Sequence, residues 1–196
     1  MKTTRSYVMR ARAESAEATR QRILDAAADV LWERRLTDVR LEEIAARAEV
    51  TVQTVLRIFG TKADLVGLAW EVLRDRIIMQ RETAEPGDVS ATITALYDHY
   101  EAMGDFVIRN LADEERVPAL REGLERGRSE HRRSMRRQFG PQLALQTGRE
   151  RKLMLDCLVA ACDVYTWKLL RRDLGRSRHD AEACVQRMVT GILKGA

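Results

Sequence analysis

Residues 41–59 read LEEIAARAEVTVQTVLRIF, two short helical patterns with almost no gap between them. Leu41, Ile44, Ala45 and Ala48 share one face of the first pattern, and Val52, Val55 and Phe59 share one face of the second. Ala48, Glu49, Val50 and Thr51 leave room for only a tight turn, and the small Ala45 lets the two backbones cross closely. Thr51 suits the N-cap of the second helix, because its hydroxyl accepts a bond from an otherwise orphaned backbone N–H. Gly60 suits the left-handed residue that ends that helix. Thr61 and Asp64, three apart, open another helix in capping-box fashion, although the box prefers Glu or Gln at the second place. Taken alone, the pair is a helix-turn-helix or an ordinary helical hairpin in an all-helical core.

The longer frame favours the first. From Thr19 to Lys62 the chain reads TRQRILDAAADVLWERRLTDVRLEEIAARAEVTVQTVLRIFGTK. Its opening T-R-x-x-I-L-x-A-A, the central I-A-x-x-A and the closing T-x-x-x-x-F-x-x-K together resemble the N-terminal domain of the TetR family of transcriptional regulators. The resemblance covers about a quarter of the chain. It implies a three-helix DNA-binding domain over 19–62, followed by a helical effector-binding and dimerisation domain over 63–196. It also implies a homodimer on a palindromic double-stranded DNA operator, released by a small molecule, with repression as the commoner mode.

Several positions depart from the family pattern. Arg35 and Leu36 stand where Gly and an aromatic residue are frequent. Val39 and Arg40 replace hydroxyl residues at the start of the second helix, which passes its capping to Thr37 or Asp38. Glu49 stands where the turn often has Gly; a left-handed backbone there costs about 1 kcal/mol. Leu56 and Ile58 occupy places where the family carries Tyr, and His or Tyr, that reach the DNA backbone. Without those side chains the protein forgoes phosphate bonds that position it without reading sequence; either operator binding is weaker, or, as is favoured, the anchoring is expected to shift to Arg40, Thr51, Arg57 and Lys62. With Val55 and Phe59 buried, Gln53, Thr54 and Arg57 turn to the far side of the helix. Gln53 suits an adenine edge and Arg57 a guanine edge in the major groove.

Composition fits a nucleic-acid partner without requiring one: the formal net charge is +4 and the sequence pI about 9.2. Lys2, Arg5, Arg10 and Arg12 fall within the first twelve residues with no acid among them, so residues 1–18 are expected to form a basic, flexible arm able to touch phosphates or the minor groove. Apolar residues recur at three and four throughout, which makes the class all-α. No long apolar run and no signal-peptide pattern is present, so a cytoplasmic location away from membranes is expected. Cys157, Cys162 and Cys184 lie in helical patterns and are expected to be reduced, mostly buried thiols. His99, His131 and His179 show no metal-binding or nucleophile–base spacing, and no cofactor, metal site or catalytic residue is expected. A helical small-molecule carrier or enzyme without specific DNA binding is the competing class.

Beyond Lys62 the spacing predicts a long helix that carries Leu65 to Ile77 and ends before Pro86-Gly87-Asp88. A second helix runs from Ser90 to about Leu111. A basic helix opens at Pro118 and is closed by Gly140-Pro141. One helix is expected over 149–174, and a last one after Gly175. The resemblance makes these last two the dimer interface, with Leu155, Leu158, Val159, Thr166, Leu169, Val185, Met188, Val189 and Ile192 as candidates. It also implies an effector pocket, for which Trp70, Leu73, Ile77, Leu96, Tyr100, Met103 and Cys162 are candidates. Their apolar or amphipathic character suits a lipophilic or aromatic compound. Residues 116–137 hold eight arginines against three glutamates, either an anion-binding surface or a solvated face laced with pairs such as Glu122 and Arg126.

Overall fold

The computed structural model describes residues 3–79 and 84–195, with side chains at 13–73 and 84–195. Among these residues the regular structure is helical, without strands. The chain forms two compact units, residues 1–76 and 77–196.

The first unit opens with α1 (Thr3–Glu33). Residues 3–18 are therefore helix and not the unstructured arm expected from their charge. Ile23, Ala27, Ala28, Val30 and Leu31 of α1 are fully buried or nearly so. A 3₁₀ turn (Leu36–Asp38) precedes α2 (Leu41–Arg47). Arg40 is the N-cap of α2 and makes no side-chain cap bond. The expected capping by Thr37 or Asp38 does not occur, because the 3₁₀ turn takes both residues and the Thr37 hydroxyl is spent on the Asp38 carboxylate at 3.1 Å. After α3 (Val52–Phe59) comes α4 (Lys62–Met79). Its start is the reciprocal box read from the sequence: Asp64 N–H donates to Thr61 Oγ1 at 3.1 Å, and Thr61 N–H donates to Asp64 Oδ2 at 3.2 Å. Leu65, Ala69 and Leu73 bury the inner stripe of α4, while Leu68, expected in that stripe, is exposed.

The second unit is built around α5 (Val89–Asp113), capped by Asp88, whose carboxylate accepts from Ala91 N–H at 2.9 Å. Its buried residues, among them Ile93, Tyr97, His99, Tyr100, Met103 and Phe106, fall on more than one face, as a helix covered from several sides must. A 3₁₀ turn (Pro118–Leu120) leads into α6 (Arg121–Gln138). Gly140-Pro141 does not simply stop the chain there; with Pro near its first position it opens the short α7 (Gly140–Leu143).

The largest departure from the sequence reading lies over 149–174. In place of one helix there are α8 (Gly148–Ala161), α9 (Val164–Lys168) and a π-helical turn (Leu169–Asp173), before α10 (Arg178–Lys194). The break at Cys162-Asp163 frees carbonyls at the end of α8, and three of them find partners outside it. Tyr100 Oη donates to Cys162 O at 3.0 Å, Thr166 Oγ1 to Ala160 O at 2.8 Å, and His131 Nε2 lies 3.2 Å from Val159 O. Asp163 caps α9 by accepting from Tyr165 N–H at 2.9 Å.

The π turn is held against α5 by two carboxylates four residues apart. Glu101 accepts from Trp167 Nε1 at 3.0 Å and from Arg171 at 2.5 and 3.0 Å. Asp105 accepts both arms of Arg172 at 2.8 Å, and that guanidinium stacks 4.5 Å over the Trp167 ring. Hydrogen bonding from Arg171 holds Glu101 below the usual carboxylate range, and Arg172 does the same for Asp105.

Candidate nucleic-acid interface

The turn between α2 and α3 is a Schellman closure. Val50 N–H donates to Ala45 O at 2.9 Å and Glu49 N–H to Ala46 O at 3.2 Å, with Glu49 in the left-handed position at φ 54°. Glu49 is the one residue other than Gly with positive φ among the described residues. Glu49→Gly is accordingly expected to raise the stability of the first unit by up to about 0.5 kcal/mol, the residual after the greater chain entropy of Gly is subtracted. Thermal unfolding reads this directly, and a lowered midpoint would show that the Glu49 side chain contributes more than its backbone strain costs.

Thr51 caps α3 as expected: its Oγ1 accepts from Thr54 N–H at 3.2 Å and lies 3.0 Å from Thr54 Oγ1. The mutual bond uses one hydroxyl proton, so the other stays available to an outside acceptor. At the far end Gly60 has positive φ, but its ψ of −79° and the 3.1 Å bond from Thr61 N–H to Phe59 O make a γ-turn and not a left-handed cap.

The seat of α3 is apolar. Val55 and Phe59 are buried, Ile44, Ala45 and Ala48 close the α2 side, and the Arg20 guanidinium of α1 lies 5.4 Å over the Phe59 ring. Gln53 and Arg57 are exposed on the opposite face, with Thr54 partly exposed between them and the core. Arg40 and Thr51 are exposed at the starts of α2 and α3. The Lys62 ammonium donates to Val39 O at 2.5 Å, tying the start of α4 to the segment before α2; its remaining N–H bonds are not used by that bond. Of the two departures on α3, Leu56 is 39% exposed whereas Ile58 is half-buried.

Arg47 was not singled out in the sequence, yet it links α2 to the end of α1. It grips Glu33 through two bonds, 2.9 and 2.5 Å, and reaches Glu43 at 3.2 Å. Arg47 holds the Glu33 carboxyl below its ordinary range, chiefly by hydrogen bonding.

Residues 23–68 match the family model described as bacterial regulatory proteins of the tetR family. The chain carries a TetR-family N-terminal domain. The matched span takes in the packed part of α1, the helix-turn-helix and the start of α4. A solved structure of a transcriptional regulator from Rhodococcus sp. Rha1 shares the fold, with a TM-score of 0.67 at 21% identity, over 90% of this chain and 96% of that one. No curated protein matches the chain. Among the described residues no group of His, Cys, Asp or Glu is gathered as a metal site, and no helix is long and apolar enough to cross a membrane.

In the second unit the candidate residues fall in different surroundings. Tyr100, Met103 and Cys162 are packed core, exposed by 2, 2 and 1%. The Tyr100 hydroxyl donates to the Cys162 carbonyl. Trp70 and Leu73 belong to the first unit, and the side chain of Ile77 lies outside the described residues. Leu96 does line a cavity, of about 10 Å³, with Thr92 and Ala95 of α5, His131, Ser134, Met135 and Gln138 of α6, and Ala84. That volume holds about one water. The α6 residues recur at three and four, so their common face was legible, but the basic residues around them drew attention to the charge instead.

Of the expected interface residues, Leu155, Leu158, Val185 and Val189 are buried within this chain's own core. Val159, Thr166 and Ile192 are half-buried, and Leu169 and Met188 are exposed. Leu153 and Tyr165 add exposed apolar surface. Cys157 and Cys184 are exposed, contrary to expectation; only Cys162 is buried, and burial pushes its thiol up to about 12. The arginine-rich stretch is laced with ion pairs, Arg126 to Glu122, Arg128 to Glu114, Arg132 to Asp156 and Arg133 to Glu130. This favours the solvated-face reading.

Proposed function

We propose that the protein is a sequence-specific DNA-binding transcriptional regulator, a repressor that binds a two-fold operator as a homodimer and is released by a small effector. The observation that carries this is α3 itself, whose Val55 and Phe59 are buried while Gln53 and Arg57 stand exposed on the far face of a TetR-family domain. Gln53 pairs with an adenine edge and Arg57 with a guanine edge; Arg40, Thr51, Thr54 and Lys62 hold phosphates around them. Two such helices read half-sites one helical turn apart only when two copies pair. The exposed residues Leu153, Tyr165, Leu169 and Met188, with half-buried Val159, Thr166 and Ile192, supply apolar surface for that pairing.

The effector enters the second unit. The cavity of about 10 Å³ at the seam between α5 and α6 holds about one water, and opening that seam would enlarge it for an effector. A ligand that prefers the opened form shifts the population of the DNA-competent form by its difference in affinity.

The test is retention of DNA fragments from around the protein's own coding region against bulk competitor, titrated with salt. One fragment should be retained over the rest and released steeply as salt rises. Equal retention of all fragments at every salt concentration overturns operator reading. Gln53→Ala should then relax the preference at one base position per half-site, at a cost of about 1–3 kcal/mol. An unchanged sequence preference would make Gln53 a solvated residue.

A further inference from the structure

The cavity at the seam between α5 and α6 has a wall whose hydrogen bonding is incomplete. Gln138 lines it and is 3% exposed, yet its Oε1 has no hydrogen-bond partner among the described residues. A buried carbonyl left in that state is costly, and a donor from outside the chain relieves it. On the α5 side Thr92 lines the same cavity, and its hydroxyl proton is spent on Asp88 O at 2.7 Å. Towards any further partner the Thr92 oxygen can only accept. His131 is committed through Nε2 to Val159 O, 3.2 Å away, and is not counted among the acceptors. Both acceptors have fixed bases: Gly87 N–H donates to Gln138 O at 2.7 Å, and Asp88 caps the turn of α5 that carries Thr92.

Charge narrows the ligand further, because the lining holds no carboxylate, lysine or arginine. An ammonium would lose its hydration there without gaining a counter-charge, and a carboxylate would face two acceptor oxygens. A neutral O–H or N–H meets neither cost. At about 10 Å³ the cavity admits one water-sized group, so the donor fills it and the rest of the molecule displaces a wall. Met135, buried in that lining, is the wall suited to yield, since its thioether chain is unbranched and adapts to many shapes.

We propose that the seam binds a small neutral molecule with an O–H or N–H donor on an apolar body. Gln138 Oε1 and Thr92 Oγ1 receive the donor, and Leu96 and Met135 cover the body. This rests on the effector reading above and fixes its chemistry: the apolar compound carries a polar head, and the head decides which compounds bind.

The test uses n-butanol and diethyl ether, isomers of which only the alcohol donates, with butylammonium and butyrate as charged counterparts. Each is titrated into the full chain and followed by the Met135 methyl resonance. Butanol should shift that resonance saturably and bind at least about tenfold more tightly than the ether or either ion, a ratio that one buried hydrogen bond supplies. Gln138→Met removes the amide at nearly constant length. It should bind butanol and ether alike and melt no lower than the unaltered chain, because the unpartnered carbonyl goes with the amide. The inference is overturned by the absence of a saturable shift, by equal affinity for butanol and ether, by tighter binding of either ion, or by a butanol preference that survives in Gln138→Met. A lower midpoint for Gln138→Met also overturns it, since the amide would then have a partner within the chain. Release of the retained DNA fragment is measured separately with the same compounds. Butanol binding without release ends the effector reading and leaves the site standing, whereas release by butanol and ether alike, with no preference at Met135, keeps the effector reading and overturns the inference.

Discussion

Gly104→Ala is expected to destabilise the second unit by about 3 kcal/mol, at the upper end of the cost of overpacking. A Cβ at this position would lie 2.4–2.7 Å from Cζ3, Cη2 and Cε3 of Trp167, so the ring must move. It has little freedom to do so, being 1% exposed, bonded through Nε1 to Glu101, and covered by the Arg172 guanidinium. The helix-propensity gain of Ala over Gly, about 1 kcal/mol, opposes the clash and does not offset it. Gly127→Ala supplies the control, since a Cβ there meets nothing within 4 Å on an exposed turn of α6. That variant should be neutral or stabilising by up to about 1 kcal/mol. Thermal unfolding followed by Trp167 fluorescence should show the midpoint of Gly104→Ala lowered by on the order of 10 °C. Equal midpoints for the two variants would mean that Trp167 does not lie on Gly104.

Phe59→Ala should cost the first unit about 3–4 kcal/mol and abolish operator binding with it. Phe59 is 7% exposed, seats the end of α3, and carries the Arg20 guanidinium on its ring. Its removal leaves a cavity under the reading helix and frees Arg20 from its stacking partner. The loss of binding should be structural in origin: Phe59→Leu, which keeps most of the volume, should restore most of both stability and binding. Arg57→Ala should lose binding while the first unit melts unchanged. Retention of the first unit's melting transition in Phe59→Ala to within about 1 kcal/mol would place the seat of α3 elsewhere.

The head was legible because its determinants are local. The apolar stripes of α2 and α3, the Thr51 cap and the Thr61–Asp64 box each act within a few residues, and the structure realises all three. The left-handed Glu49 was suggested by the resemblance, which puts Gly at that place in the turn, although nothing in the sequence showed that Val50 and Glu49 would close on Ala45 and Ala46. Arg47 escaped notice because its main partner, Glu33, lies 14 residues away on another helix.

The second unit was read as helices but not as a site. The break at Cys162 was invisible because the partners of the freed carbonyls include Tyr100, 62 residues earlier, and His131, 28 residues earlier than Val159. Cavity, core and interface residues look alike in the sequence for a related reason: an apolar stripe shows that a face is covered, without showing whether its own chain or another does the covering. Leu155, Leu158, Val185 and Val189 are covered by their own chain.

The sequence by itself determined the all-helical class, the helix-turn-helix frame and the polar face of α3, because periodicity and capping are properties of neighbours along the chain. Only the tertiary structure decided where the long C-terminal pattern breaks, that Tyr100, Met103 and Cys162 are solid core, and that the basic N-terminus continues α1 as helix. Those outcomes depend on which distant groups meet a freed carbonyl, a ring or a helix face, and such meetings are fixed by packing, not by spacing.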